Sequence, residues 1–214
     1  MSDMDILVPA SEIHPAEECL SRLGYSLVNK EDSANNSYLY EVSYTHPLHP
    51  YHIELHWNCS TAVADASLIP DIASAWENVR PGKLLNQPVF EFSLEDQLNH
   101  LAQHILHHRF GLPLRAYLDV ALFIRKFGGQ LTKESLDAAV KRWKTGRAVP
   151  FVLWTVREFF GIPLPPMLGS VIASPPNEAW ESFVPLLLVA DTVIGERSWD
   201  ATLYRQRFLP FWER

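Results

Sequence analysis

Cysteine is scarce in this chain, and positive charge is outnumbered. Only two cysteines occur in 214 residues, Cys19 and Cys59. Neither lies in a CxxC or other ligand-like spacing, which leaves no basis for a disulfide framework or a cysteine-bound zinc and points to a reducing compartment. Lys and Arg total 18 against 25 Asp and Glu, a formal net charge of −7. That balance excludes broad, sequence-independent nucleic-acid binding, which rests on a basic surface. No apolar run approaches the ~20 residues that a membrane-spanning helix needs, and the acidic N-terminus has no signal-peptide h-region. Phosphate-cradling GxGxxG and GxxxxGKS/T motifs are absent, as are HExxH, constant-period repeats and low-complexity segments. The expectation is a soluble, cytoplasmic protein of one large domain or two small ones.

What is present divides at about Ser93. Before it the patterning alternates between α and β. A β-prone run, Asp3–Val8, leads into a helix expected from Ser11 as cap to about Leu23, with Gly24 just past its end. "YLYEVSY" (Tyr38–Tyr44) and "YHIELHW" (Tyr51–Trp57) alternate around the Pro-containing "THPLHP", which predicts a hairpin-like pair. A short helix over Ile72–Val79 and a strand at "PVFEF" complete this part. From Ser93 the rhythm is helical, opening on a capping-box-like Ser93 and Asp96. Helices are expected over Leu94–Arg109, Leu114–Phe127, Lys133–Lys144, Val149–Phe160, Glu178–Ile194 and Thr202–Phe211. The fold class is therefore α+β: a small mixed-sheet domain, 1–92, followed by an all-helical domain, 93–214.

The chemistry-bearing residues lie on the strands. Asp3 and Asp5 are two apart, so in a strand they share a face roughly 6.6 Å from each other. Carboxylates so close repel unless a cation sits between them. In "YHIELHW", Ile53, Leu55 and Trp57 are expected to face the core, which leaves His52, Glu54 and His56 on the opposite face. If that strand pairs near Asp3–Val8, Glu54 joins Asp3 and Asp5. Three carboxylates with open positions suit Mg²⁺, which completes its shell from water and substrate phosphates. The metal would supply the positive charge that the chain lacks for holding a nucleotide. A lone DxD at a solvated strand edge is the plainer account of the pair.

These stretches taken together resemble a known family. "SDMDILV", the helix ending "LSRLGY" (Leu20–Tyr25), "IELHW" (Ile53–Trp57), "LAQHILHHRFGLPLRAYLDVALFI" (Leu101–Ile124) and "FFGIPLPP" (Phe159–Pro166) resemble, in order and spacing, the uncharacterised nucleotidyltransferase family of the polymerase-β-like superfamily. The resemblance implies that Asp3 and Asp5 are the DxD metal pair and Glu54 the third carboxylate, with Mg²⁺ or Mn²⁺ as cofactor. It implies a nucleoside triphosphate as substrate and transfer of its nucleoside monophosphate to an acceptor. The family also carries a helix and a strand with a Gly-Ser turn before the DxD. Only Met1 and Ser2 precede Asp3 here, so the expectation is slow or no turnover by this form, and an open strand edge prone to homodimerisation.

Two further clusters lie on the helices. His100, His104, His107 and His108 fall within one arc of the helix from Leu94. Pairs at i, i+4 can share a metal, so a His-rich metal-dependent hydrolase is one alternative; a core-boundary row is the plainer one. The resemblance singles out His104 as the family's helix histidine. Arg115 and Asp119 sit four apart on the next helix, either as a surface ion pair or facing a cleft where Arg115 meets a phosphate. A last alternative is a catalytically degenerate domain that binds a nucleotide or a protein partner without turnover.

Overall fold

Alternation along the N-terminal strands decides which face of the sheet is dry. A computed structural model describes residues 3–28, 40–59, 69–107, 114–146 and 148–171. Strand β1 (Asp3–Leu7) pairs in parallel with β4 (His49–His56). Strand β3 (Glu41–His46) runs antiparallel to β4, and the two-residue β2 (Ser26–Leu27) runs antiparallel to β3. The order is β1-β4-β3-β2. On the apolar face Tyr44, Ile53 and Leu55 are buried against Leu20 of helix α1 (Ile13–Arg22), with Ile6, Val8, Ala16 and Val42 around them. Each such aliphatic side chain contributes about 1.5–3 kcal/mol by leaving water. Trp57 lies just past β4 and is only half-buried.

The expected Ser11 cap does not form. A 3-10 turn over Ala10–Glu12 precedes α1, with the Glu12 amide donating to the Pro9 carbonyl at 2.8 Å, and no side chain caps the helix. Winding thus begins before Ser11 can act as the flanking residue. At the other end the Tyr25 amide reaches back to the Leu20 carbonyl at 3.0 Å. Gly24 there has φ +89, and the His46 ring lies 2.8 Å from where a Cβ would stand. Both facts require glycine.

After the sheet come the short helix α2 (Ile72–Trp76) and a hairpin of β5 (Arg80–Leu84) and β6 (Gln87–Glu91). Helices α3 (Leu94–His107), α4 (Leu114–Phe127), α5 (Lys133–Trp143), α6 (Ala148–Phe160) and α7 (Pro166–Val171) follow. The α+β class is as expected; α7 and β5 are additions to it. α6 buries Val149, Val152, Leu153 and Val156 at the centre of the helical core, against Leu98 and Ile105 of α3 and Tyr117 and Val120 of α4. The helices expected over Glu178–Ile194 and Thr202–Phe211 lie outside the described residues.

One feature ties the helices to the sheet, and a second joins two helices to each other. A small cluster of Ile72, Ala75, Ala139 and Trp143 receives Leu7 from β1 together with Cys59, Trp76 and Phe92. Beside it, the fully buried Asp96 carboxylate accepts hydrogen bonds from four donors. Arg142 supplies Nε at 3.1 Å and Nη2 at 2.8 Å, Trp143 its Nε1 at 2.7 Å, and Ser93 its Oγ at 2.7 Å. The Asp96 amide donates back to Ser93 Oγ at 3.1 Å, completing the cap at the start of α3.

Candidate metal and nucleotide site

Because Ile53 and Leu55 point into the core, Glu54 and His56 stand on the opposite, polar face of β4. The parallel register sets Asp5 beside Glu54, Asp3 beside His52 and Leu7 beside His56. From the other side, the antiparallel register sets Glu41 beside His56 and Ser43 beside Glu54. Asp5, Glu54 and His56 each offer a ligand atom, and the three atoms lie within 4.8 Å of one another.

His56 is the pivot of this cluster. Its Nδ1 is 3.1 Å from Glu41 Oε2, while its Nε2 is 3.8 Å from Glu54 Oε2 and 3.9 Å from Asp5 Oδ1. The imidazole is 14% exposed and Asp5 68%, so the cluster is closed on the His56 side and open to solvent at Asp5. His56 Nε2 is buried and has no hydrogen-bond partner among the described residues.

Neighbouring groups set the local polarity. The Tyr40 ring lies 5.7 Å from that of His56. Its hydroxyl is pushed up to about 12, first by burial and then by the Glu41 carboxylate. Burial likewise pushes the Cys59 thiol up to about 12, which makes it a poor nucleophile and ligand at neutral pH. Across the gap, α3 presents His100, whose ring lies 5.9 Å from Phe92 and 5.7 Å from Trp143. Burial, and then His104 and His56, hold His100 down to about 4, so it faces the sheet as a neutral imidazole.

The structure thus brings Asp5 and Glu54 together and places Asp3 two register pairs away, beside His52. His104 is exposed on α3; His107 closes that helix, and His108 lies outside the described residues. Arg115 and Asp119 are exposed on α4, and no ion pair joins them or either of them to another described residue. The sequence alone does not single out Glu41. Its alternation with Ser43 opposite Val42 and Tyr44 was the available signal, but its place beside His56 depends on strand register.

In comparison with family models, the model described as an uncharacterised nucleotidyltransferase matches residues 1–161. Neither a curated protein nor a solved structure matches the chain. Among the described residues no helix is long and apolar enough to cross a membrane.

Proposed function

The chain belongs to the uncharacterised nucleotidyltransferase family, and from that premise we propose that it transfers a nucleoside monophosphate from a nucleoside triphosphate to an acceptor at the polar face of β1 and β4. The observation that carries this reading is the Asp5–Glu54 register pair, two carboxylates on adjacent parallel strands with an open side toward solvent.

The donor set fits a divalent cation: carboxylate oxygens beside a buried ring nitrogen that has no other partner among the described residues. Asp3, Asp5 and Glu54 would hold Mg²⁺ or Mn²⁺. The ion supplies charge neutralisation of the triphosphate and of the leaving pyrophosphate. The chain's own contribution is positional. Strand pairing fixes Asp5 and Glu54 at one height, and the Leu7 anchor in the cluster with Phe92 and Trp143 holds β1 against the helices. The acceptor oxygen then forms a bond to the α-phosphorus as the bond to the β-phosphate oxygen breaks, pyrophosphate departs, and the acceptor's proton leaves to a carboxylate or water. His104, Arg115 and Asp119 belong to this reading as nucleotide contacts, and pairing of the β1 edge with a second copy as its quaternary form.

Calorimetry with Mn²⁺ on the parent and on Asp5→Asn tests the reading, followed by pyrophosphate release from each nucleoside triphosphate. Binding by the parent that falls at least tenfold in Asp5→Asn supports the site. Equal binding by both proteins overturns it. Binding without pyrophosphate release, across candidate acceptors, favours the degenerate nucleotide-binding domain instead. A hydrolase centred on the α3 histidines draws no support from the geometry, since the metal-capable group among the described residues is on the sheet.

A further inference from the structure

We propose that His56 is itself a ligand to the cation through Nε2, with Glu41 as the outer carboxylate that orients it, so that the site prefers Mn²⁺ to Mg²⁺. This inference rests on the reading above, that the polar face of β1 and β4 binds a divalent ion.

The first ground is the orphaned nitrogen. A buried polar atom left without a partner keeps the full cost of its lost hydration. His56 Nε2 is such an atom, and it is aimed between Glu54 Oε2 at 3.8 Å and Asp5 Oδ1 at 3.9 Å. Those separations are too long for hydrogen bonds. They are closer to the spacing of donors around an ion. Ligands at ~2.1 Å from a cation sit roughly 3.0–3.4 Å from one another, so rotation of the exposed Asp5 side chain and the half-buried Glu54 closes the set.

The second ground is the other ring nitrogen. His56 Nδ1 lies 3.1 Å from Glu41 Oε2, which assigns the ring hydrogen to Nδ1 and turns the Nε2 lone pair toward Asp5 and Glu54. A ligating histidine almost always donates its second N–H in this way, and the carboxylate that accepts it fixes the tautomer and raises the ring's basicity. Strand register builds the arrangement, since Glu41 and His56 are directly paired residues of β3 and β4.

The third ground is donor type. Mg²⁺ demands hard oxygen ligands and keeps its waters, whereas first-row transition ions accept imidazole readily. Carboxylates joined by one imidazole make a mixed set, which Mn²⁺, a first-row ion that also suits carboxylate and water, accepts more readily than Mg²⁺ does.

Electron spin-echo spectroscopy of the full chain loaded with Mn²⁺ reads the bond directly, because a coordinated imidazole imprints nitrogen modulation on the echo. The expected result is nitrogen modulation in the parent and none in His56→Gln, with Mn²⁺ affinity down at least tenfold. Glu41→Gln should keep the modulation but bind Mn²⁺ about 10–100-fold more weakly, as outer-carboxylate changes do. Mg²⁺ affinity, measured by competition, should move less than threefold in His56→Gln. Bound Mn²⁺ without nitrogen modulation, yet lost in Asp5→Asn, overturns the histidine ligand and leaves the carboxylate site standing. Modulation that persists in His56→Gln also overturns it. A parent that binds no Mn²⁺ removes both readings. A parent spectrum without modulation overturns the proposal whatever the variants do, and His56→Asn is the second variant that makes the assignment where His56→Gln fails to fold.

Discussion

Replacing Asp96 with alanine should be among the most damaging single changes in the chain, although Asp96 lies in the joint between helices and touches no ligand of the proposed site. The carboxylate is fully buried and holds Arg142 through two nitrogens, Trp143 through its indole and Ser93 through its hydroxyl. Asp96→Ala leaves a guanidinium and an indole N–H without their acceptor. Removing one partner of a buried ion pair costs about 3–5 kcal/mol. Arg142 retains 15% exposure, so water relieves part of the loss and the expected cost is at the low end, about 3 kcal/mol. That is a large share of a typical stability of about 5–15 kcal/mol. With a urea dependence of about 2 kcal/mol per molar, the midpoint should fall by about 1.5 M. Arg142→Met and the double variant complete the cycle. The double variant should be less damaged than the sum, because it removes the charge that Asp96→Ala strands. A midpoint shift under about 0.5 M, or additivity to within about 0.5 kcal/mol, would refute the reasoning.

Two other perturbations have signs that follow from geometry. His100 is held down to about 4 from an ordinary 6.5, first by burial. The unfolded chain therefore binds more protons between those values, so its contribution to stability is complete above pH 6.5 and is lost as pH falls toward 4. Urea titrations near neutral and near pH ~4.5 should show a loss on the order of 2 kcal/mol from this group, absent in His100→Gln; equal pH slopes would contradict it. Leu85 and Asn86, with φ of 49 and 66, form the two-residue turn between β5 and β6. Leu85 is 89% exposed and gains nothing from its side chain there. Leu85→Asn should add about 0.5–1 kcal/mol, seen as a higher urea midpoint, because asparagine tolerates the left-handed region that leucine resists; an unchanged or lower midpoint would count against it.

Local rules were legible in the sequence wherever one element carries them alone. Ile53 and Leu55 against Glu54 and His56 is a period-2 pattern complete within β4, and Ser93 with Asp96 is a cap complete within one turn. What needed distant residues was not legible. The cap's acidic residue is also the acceptor for Arg142 and Trp143, 46 and 47 positions away, and no local pattern announces that. Glu41 meets His56 only through the β3–β4 register, and His100 approaches His56 only once α3 docks on the sheet. The strand at Arg80–Leu84 was hidden by Pro81 and Gly82, both disfavoured in strands and tolerated here in a two-stranded ribbon. Ser11 misled in the other direction, as a good cap residue absorbed into a 3-10 turn.

Strand β1 contributes Asp5 to the cluster yet, among the described residues, is held to the sheet along one side only, by its five register pairs with β4. Peeling β1 away would carry off Asp5 and leave Glu54, His56 and Glu41 together on the β3–β4 hairpin. Opening of the N-terminus and emptying of the site are thus the same event seen from two ends. An ion that binds only the assembled cluster raises the free energy of that opening by RT ln(1 + [L]/Kd). The strand's firmness is then set by the concentration of free cation as much as by any side chain that touches it.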